Sequence, residues 1–175
     1  MKIELVSTGE KAPNVVNVLI ENSGNAIPVK YELDKESGVL FVDRFLATPM
    51  HYPCNYGFIP NTLSDDGDPA DVLVISEFSI MPGAVIPSKP IGVLIMEDEK
   101  GMDEKILAVP TEKMNSEYSV YNELDDIPSI LLDKIKHFFE HYKDLEKGKW
   151  VKITGFKSSA DAKKIIEEAI DRYKK

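Results

Sequence analysis

The spacing of apolar residues changes near Pro110, and this change limits the possible folds more than any other feature of the sequence. From about Val15 to Pro110, apolar residues form the short runs typical of β-strands, separated by Gly, Pro and Asn. In the last third they recur at helical spacing. Many short strands followed by two amphipathic helices predict an α+β chain, mainly β with flanking α: a small barrel with the two C-terminal helices packed outside it.

The same pattern gives approximate bounds for the strands. They are predicted at Val16–Glu21, Val29–Leu33, Val39–Arg44, Tyr56–Ile59, Asp71–Ser76, Val85–Glu97 (interrupted by prolines), Lys105–Val109 and Trp150–Phe156. Residues of Val29–Leu33 alternate cleanly between apolar and charged, as in a half-buried strand. The stretch from Asp34 to Gly38 is predicted to be the hairpin turn into the next strand.

Both helices carry signals at their ends. The first is expected after Pro128, a first-turn proline, and before Gly148, a residue just past the helix end. Its apolar stripe consists of Leu131, Leu132, Ile135, Phe138, Phe139 and Tyr142. The second helix is expected to begin near Ser158, with Asp161 as its capping partner, and to continue to Tyr173.

Length, charge and cysteine content exclude several classes of protein. The 175 residues suit one domain spanning residues 1–175, and an apolar fraction of 43% can build its core. The formal net charge of -9 disfavours nucleic-acid and membrane-surface partners. Cys54 is the single cysteine, so the chain cannot form an internal disulfide, which fits a reducing compartment. The N-terminus lacks a signal-peptide pattern, and no run approaches the ~20 apolar residues of a membrane span. We therefore expect a cytoplasmic protein.

The segment Leu63–Val74 carries the strongest chemical signal. A glycine and a proline fix a tight turn in it, and Asp66, Asp68 and Asp71 supply carboxylates at short spacing. Like charges 4 Å apart repel by about 4 kcal/mol at an effective dielectric of 20, so converging aspartates need bound cations. Mg²⁺ prefers such oxygen ligands. A merely solvated turn is the simpler alternative, whereas an EF-hand is excluded because its twelfth position, Glu77, falls at the end of the predicted strand Asp71–Ser76.

Other polar residues give weaker signals. Asp98 and Asp103 end and restart predicted strands around an acidic loop, and Lys105 follows on the same strand face as Asp103. Four basic residues could bind an anion: Lys30, Arg44, Lys105 and Lys143. His137 and His141 lie four residues apart but not in the HExxH order of a zinc site, so a structural role is expected for them.

At this point a family resemblance becomes specific. The run from Asp66 to Val72 closely resembles the signature of the soluble family I inorganic pyrophosphatases of bacterial type, and residues 27–32, 38–44, 52–57 and 137–145 are similar to that family in order and spacing. Ala70 departs from the signature, which usually has a larger aliphatic residue, so packing behind the loop should differ. The resemblance implies a five-stranded barrel of oligonucleotide-binding type, Mg²⁺-dependent hydrolysis of pyrophosphate and a homohexamer.

The resemblance also implies a role for each matched residue. It makes Asp68 the general base. The ligands of the metals that activate the attacking water would be Asp66, Asp71 and Asp103. Metals delivered with the substrate would be held by Asp98, Asp103 and Glu32. The phosphates would be contacted by Lys30, Arg44, Tyr56, Lys105, Tyr142 and Lys143. Glu21 and Tyr52 would support this cluster.

Elementary electrostatics agrees with these roles. Pyrophosphate carries several negative charges, so a chain with a net charge of -9 should bind it only together with several Mg²⁺ ions. The nearest alternative is another metal-dependent phosphohydrolase that acts on nucleotides, although the sequence has no Gly-rich Walker loop. A barrel-type nucleic-acid module and a family member that has lost activity are two further alternatives.

Overall fold

The computed structural model describes residues 3–175. The strands are β1 (Val16–Asn22), β2 (Val29–Asp34), β3 (Val39–Phe45), β4 (Asn55–Phe58), β5 (Asp71–Val74), β6 (Val85–Asp98), β7 (Gly101–Met102), β8 (Lys105–Pro110) and β9 (Val151–Lys157). The α-helices are α1 (Ser129–His141) and α2 (Ser159–Tyr173). Short 3-10 segments lie at Ile3–Leu5, Ser116–Val120 and Leu124–Asp126.

Within residues 3–175, five strands close into a ring in the order β1, β4, β5, β8, β6 and back to β1. Neighbours in the ring are antiparallel except β5 and β8, which are parallel. Beyond the ring, β6 also pairs with β7 and β9. The predicted five-stranded barrel with two C-terminal helices is therefore confirmed.

The helices cover opposite sets of strand side chains, because successive residues of a strand point to opposite faces. On one face Leu73, Leu94 and Leu107 belong to the cluster that contains Ile135, Phe138 and Phe139 of α1. On the other face Val72, Val93 and Ile106 cluster with Ala162, Ile166 and Ala169 of α2. Burying each large aliphatic side chain contributes about 1.5–3 kcal/mol, so both helices are fixed to the barrel by their apolar stripes.

Strand β6 differs from the prediction, which had it interrupted by its prolines. It runs without a break through Pro87 and Pro90, and the register with β8 shifts between Pro90 and Gly92. A proline cannot donate to the ladder, and the irregularity allows regular pairing to resume at Gly92. The ring thus keeps one continuous strand along which β1, β8 and β9 all pair.

The ends of the helices correct two predictions and confirm one. Pro128 is the N-cap of α1 rather than a first-turn residue. Helix α1 ends at His141, and Gly148, with φ of +77°, lies in the turns that follow instead of directly after the helix. Ser158 and Asp161 form the predicted capping pair of α2, a reciprocal capping box. Neither helix is long and apolar enough to cross a membrane, as far as the described residues show.

Candidate active site

One cavity of about 200 Å³ lies where the barrel, the β2–β3 hairpin and the end of α1 meet. Its lining includes every residue predicted for the site: Glu21, Lys30, Glu32, Arg44, Tyr52, Tyr56, Asp66, Asp68, Asp71, Asp98, Asp103, Lys105, Tyr142 and Lys143. These residues come from most elements of the chain, so only the folded barrel brings them together. Four charged residues that the sequence did not single out also line the cavity: Lys35, Glu99, Lys100 and Lys149.

The parallel pairing of β5 and β8 builds the floor of the cavity. Their register sets Asp71 opposite Lys105. Lys105, which is 4% exposed, donates hydrogen bonds to Asp71 at 2.5 Å and to Asp103. Burial alone would lower the pKa of Lys105, but the two carboxylates raise it, so the ammonium group stays charged. Burial raises the pKa of Asp103. The floor therefore holds a buried cation between two carboxylates.

A second ion-paired group forms where β6 ends. Lys143 Nζ lies 2.7 Å from Asp98 Oδ2 and 3.5 Å from Glu99 Oε2, and the backbone N–H of Lys100 donates to Asp98 at 2.8 Å. Burial opposes ionisation of Asp98, yet the hydrogen bonds from Lys143 and Lys100 lower its pKa. Burial likewise opposes ionisation of Glu99, but hydrogen bonding by Lys149 lowers the pKa of Glu99 to about 2. Both carboxylates are thus ionised at neutral pH.

The loop between β4 and β5 presents its carboxylates to the mouth of the cavity. Gly67 has φ of +89°, a left-handed conformation that suits glycine. The backbone N–H of Asp68 donates to Asp66 Oδ1 at 3.0 Å, which closes a tight turn. Both aspartates are exposed, and Lys35 Nζ lies 2.9 Å from Asp68 Oδ1. Behind the loop, Ala70 is buried in the cluster that α2 covers.

Basic side chains of the β2–β3 hairpin form another part of the cavity wall. Lys30 and Arg44 are register partners across β2 and β3. Both are held by Asp43, whose carboxylate lies 3.0 Å from Lys30 Nζ and 2.7 Å from the Arg44 guanidinium. Glu146 also pairs with Arg44 at 3.2 Å. Asp43 and Glu146 are not among the predicted site residues, because their role depends on contacts formed only in the fold.

Buried aromatic rings support the basic residues. Tyr52 and Tyr56 lie 5.2 Å apart between ring centroids, and Phe138 stacks on Tyr142 at 5.1 Å. Burial raises the pKa of all three tyrosines, so their hydroxyl groups remain protonated hydrogen-bond donors. Lys105 lies 5.7 Å from the centroid of Tyr56 and Lys143 lies 5.5 Å from that of Tyr142, distances at which cations interact with aromatic faces.

Glu21 is a buried carboxyl group in the wall between β1 and the hairpin. It is 7% exposed and accepts a hydrogen bond from the Leu33 backbone N–H at 2.8 Å. Burial, reinforced by the nearby Asp71 and Glu32 carboxylates, raises the pKa of Glu21 to about 7. Glu21 therefore ties the hairpin to the barrel beside the carboxylates of the cavity.

The cavity is less acidic than the cluster of aspartates suggests. Its described lining carries eight carboxyl groups and seven basic groups. The acidic residues are Glu21, Glu32, Asp66, Asp68, Asp71, Asp98, Glu99 and Asp103. The basic ones are Lys30, Lys35, Arg44, Lys100, Lys105, Lys143 and Lys149. Basic side chains thus supply part of the positive charge that converging aspartates need, and bound cations are not its only source.

The donor atoms of the cavity suit a hard cation. The described lining offers carboxylate oxygens without imidazole or thiol groups, which is the ligand chemistry of Mg²⁺ rather than Zn²⁺. Among residues 3–175 no three side chains of Asp, Glu, His or Cys lie close enough together to form a ready metal site. Lys105 and Lys143 instead pair with the carboxylates of the cavity. His137 and His141 lie outside the lining, with rings 4.6 Å apart, and His141 pairs with Asp144.

Comparison with known proteins identifies the family of the chain. The family model described as inorganic pyrophosphatase matches residues 18–174. Inorganic pyrophosphatases of Bradyrhizobium diazoefficiens and Xanthomonas campestris are 58% and 56% identical to the chain, over 100% and 99% of it and 98% and 97% of their own lengths. The structure of inorganic pyrophosphatase from Thermus thermophilus aligns with a TM-score of 0.95 at 41% identity, covering 100% of both chains. The chain therefore belongs to the inorganic pyrophosphatase family.

Proposed function

We propose that the chain hydrolyses inorganic pyrophosphate to two phosphates, the reaction of its family, and that Asp68 accepts a proton from the attacking water. The observation that carries this proposal is the meeting of eight carboxyl and seven basic groups in one cavity of about 200 Å³. Basic groups recognise a small polyanion, and oxygen donors recognise the divalent cations that accompany it.

The basic groups bind the two phosphates of the substrate. Arg44 offers a planar fork of donors, while Lys30, Lys105 and Lys143 act as point charges. Tyr56 and Tyr142 donate hydrogen bonds from neutral hydroxyl groups. Each lysine has a carboxylate partner, so a phosphate that draws the lysine away frees a carboxylate. Substrate binding and cation binding therefore favour one another.

The carboxylates would hold several Mg²⁺ ions. Asp66, Asp71 and Asp103 would be ligands of the ions that activate water, and Asp98, Asp103 and Glu32 would hold ions that arrive with the substrate. When bound, Mg²⁺ lowers the pKa of water and neutralises charge on the phosphates. Glu21 and Tyr52 position these groups from behind: Glu21 through the Leu33 amide, and Tyr52 through its contact with the Tyr56 ring.

Asp68 is suited to accept the proton. Its side chain is 56% exposed at the cavity mouth, where water reaches it, and Asp66 fixes its backbone. General-base catalysis of this kind contributes typically 10²–10⁴-fold. The site needs no covalent nucleophile, because phosphoryl transfer depends mainly on positioning and charge stabilisation.

A phosphate-release assay tests the proposal. The purified protein is given pyrophosphate with Mg²⁺, pyrophosphate with EDTA, or ATP with Mg²⁺. We expect rapid release from pyrophosphate with Mg²⁺, little release in EDTA and little from ATP. Equal release in EDTA would contradict the metal requirement, and a preference for ATP would indicate a nucleotide phosphohydrolase instead.

We also propose that the chain forms one domain, assembles as a homohexamer and works in the cytoplasm. The family resemblance supports the hexamer. Burial at a subunit interface would also cover large apolar side chains that are exposed in the single chain, such as Ile27 (67%), Phe78 (68%) and Met81 (74%).

A further inference from the structure

We infer that Arg172, in the last turn of α2, is a positioning residue for the loop that carries Asp66 and Asp68. This inference rests on the proposed function of that loop. Arg172 lies outside the lining of the cavity, so it acts through the backbone of the loop rather than on substrate or metal.

Two atoms of the Arg172 guanidinium contact the start of the loop. One nitrogen donates to the Leu63 carbonyl oxygen at 2.5 Å, and the other lies 2.7 Å from Asp65 Oδ1. The Leu63 backbone N–H donates in turn to the Ala169 carbonyl oxygen at 3.0 Å. The loop is thus joined to one turn of α2 by three contacts, and the next residue after Asp65 is the proposed metal ligand Asp66.

The far end of the loop is fixed independently. Thr62, which is 2% exposed, accepts from the Ala70 backbone N–H at 3.0 Å and donates to the Ile59 carbonyl at 2.6 Å. Between these anchors the loop is exposed and is closed by its own turn, in which Ser64 N–H donates to the Asp68 carbonyl at 2.7 Å. The contacts of Arg172 therefore add to the backbone hydrogen bond between Leu63 and Ala169 in holding the start of this turn.

The chemistry of arginine is needed for this double contact. A planar guanidinium can reach a carbonyl and a carboxylate at once, whereas a lysine ammonium presents a single point charge. Lys174, near the same helix end, offers a comparison: its Nζ lies 3.8 Å from Asp171 on the helix itself. Removing the charge of Lys174 changes the net charge as much as removing that of Arg172 but leaves the loop contacts intact.

The experiment compares Arg172→Met, Arg172→Lys and Lys174→Met with the unsubstituted protein. Methionine keeps an apolar stem of similar length and loses the donors. Three measurements are made: hydrogen exchange of residues 61–70, calorimetric titration with Mg²⁺ alone, and kcat and KM for pyrophosphate at saturating Mg²⁺.

For Arg172→Met we expect exchange in residues 61–70 to accelerate roughly tenfold while β5 and β8 keep their protection. We expect weaker Mg²⁺ binding and a kcat lower by roughly tenfold, short of the ~10²-fold that a misplacement of 1 Å can cause, with a smaller change in KM. Arg172→Lys should recover part of each loss, and Lys174→Met should change none.

Unchanged exchange of the loop in Arg172→Met would overturn the inference. Faster exchange throughout the barrel would also overturn it, because Arg172 would then act on global stability. Failure of the unsubstituted protein to hydrolyse pyrophosphate would instead contradict the proposed function, and the exchange data would still decide whether Arg172 orders the loop.

Discussion

At the scale of single residues, Asp68 combines exposure to water with a fixed backbone. Replacing it by asparagine keeps the shape of the side chain and removes the proton acceptor. We expect Asp68→Asn to lower kcat by about 10²–10⁴-fold with pyrophosphate, while calorimetric Mg²⁺ binding and the melting temperature change little. Asp171→Asn, a substitution on the exposed face of α2, serves as control. An Asp68→Asn protein with unchanged kcat would remove Asp68 from its role.

Glu21 gives a second prediction, for the metal-free protein. Its pKa is about 7 in the folded chain against an ordinary 4.5, so the folded state holds this proton more tightly than the unfolded state. The free energy of unfolding should therefore fall as pH rises from about 4.5 to about 7, by roughly 3 kcal/mol from this group. Glu21→Gln keeps an oxygen for the Leu33 amide and removes the charge.

Urea unfolding in EDTA checks this. Glu21→Gln should match the unsubstituted protein near pH 4 and exceed its free energy of unfolding near pH 8 by up to roughly 3 kcal/mol. A difference of the same size at both pH values would show that the substitution acts through packing instead of ionisation.

How far the sequence predicts the site differs from residue to residue. The three tyrosines and residues such as Asp66, Asp68 and Lys30 lie in segments that match the family. Asp98, Asp103 and Lys105 lie outside those segments, beside or at the ends of predicted strands. Asp43, Glu146 and Lys35 were missed, since charged residues of strands and turns are usually solvated. Their partners are remote in sequence in two cases: Glu146 lies 102 residues from Arg44, and Lys35 lies 33 from Asp68. Only tertiary structure identifies them.

At the scale of secondary-structure elements, the sequence predicts best those strands and helices whose bounds are set by neighbouring residues in the chain. Strand bounds such as Val16–Glu21 agree with β1 (Val16–Asn22) because the apolar residues that bury this strand in the barrel are visible in the sequence. The two-residue strand β7 has no such pattern. The end of α1 was placed too late because Gly148 is a turn residue several positions beyond His141, and a left-handed glycine serves either purpose.

The capping box of α2 leads to a third prediction. Ser158 Oγ accepts from the Asp161 backbone N–H at 3.3 Å, and the Ser158 backbone N–H donates to the Asp161 carboxylate at 3.1 Å. We expect Ser158→Ala to lower the free energy of unfolding by about 1 kcal/mol. It should leave kcat unchanged, because Ser158 caps the first turn of α2, whereas the loop is contacted by Arg172 in the last turn.

Chemical denaturation measures this effect. Ser129→Ala is the matched control, since Ser129 begins α1 and its exposed side chain has no hydrogen bond among the described residues. Equal losses of stability in the two variants would mean that the capping contacts of Ser158 contribute nothing.

At the scale of the whole molecule, ring closure makes the barrel cooperative. β1 and β6 pair with Val16 opposite Ser88, so the ring closes through residues far apart in sequence. A single domain with such a ring should unfold in one transition that is the same by circular dichroism and by tyrosine fluorescence. The proposed homohexamer predicts a mass of about 118 kDa by light scattering, six times 19.6 kDa. A mass of one chain, or two separated transitions, would contradict these proposals.

The residues that line the cavity are distributed along most of the sequence, and this distribution has a consequence for synthesis in the cell. Residues that line the cavity are spread from Glu21 to Lys149, and those from Lys143 onward follow all five strands of the ring. A growing polypeptide therefore has no working centre until almost its whole length has emerged from the ribosome. Fragments that end before Lys143 lack part of the cavity lining, so we expect premature termination to leave no active product.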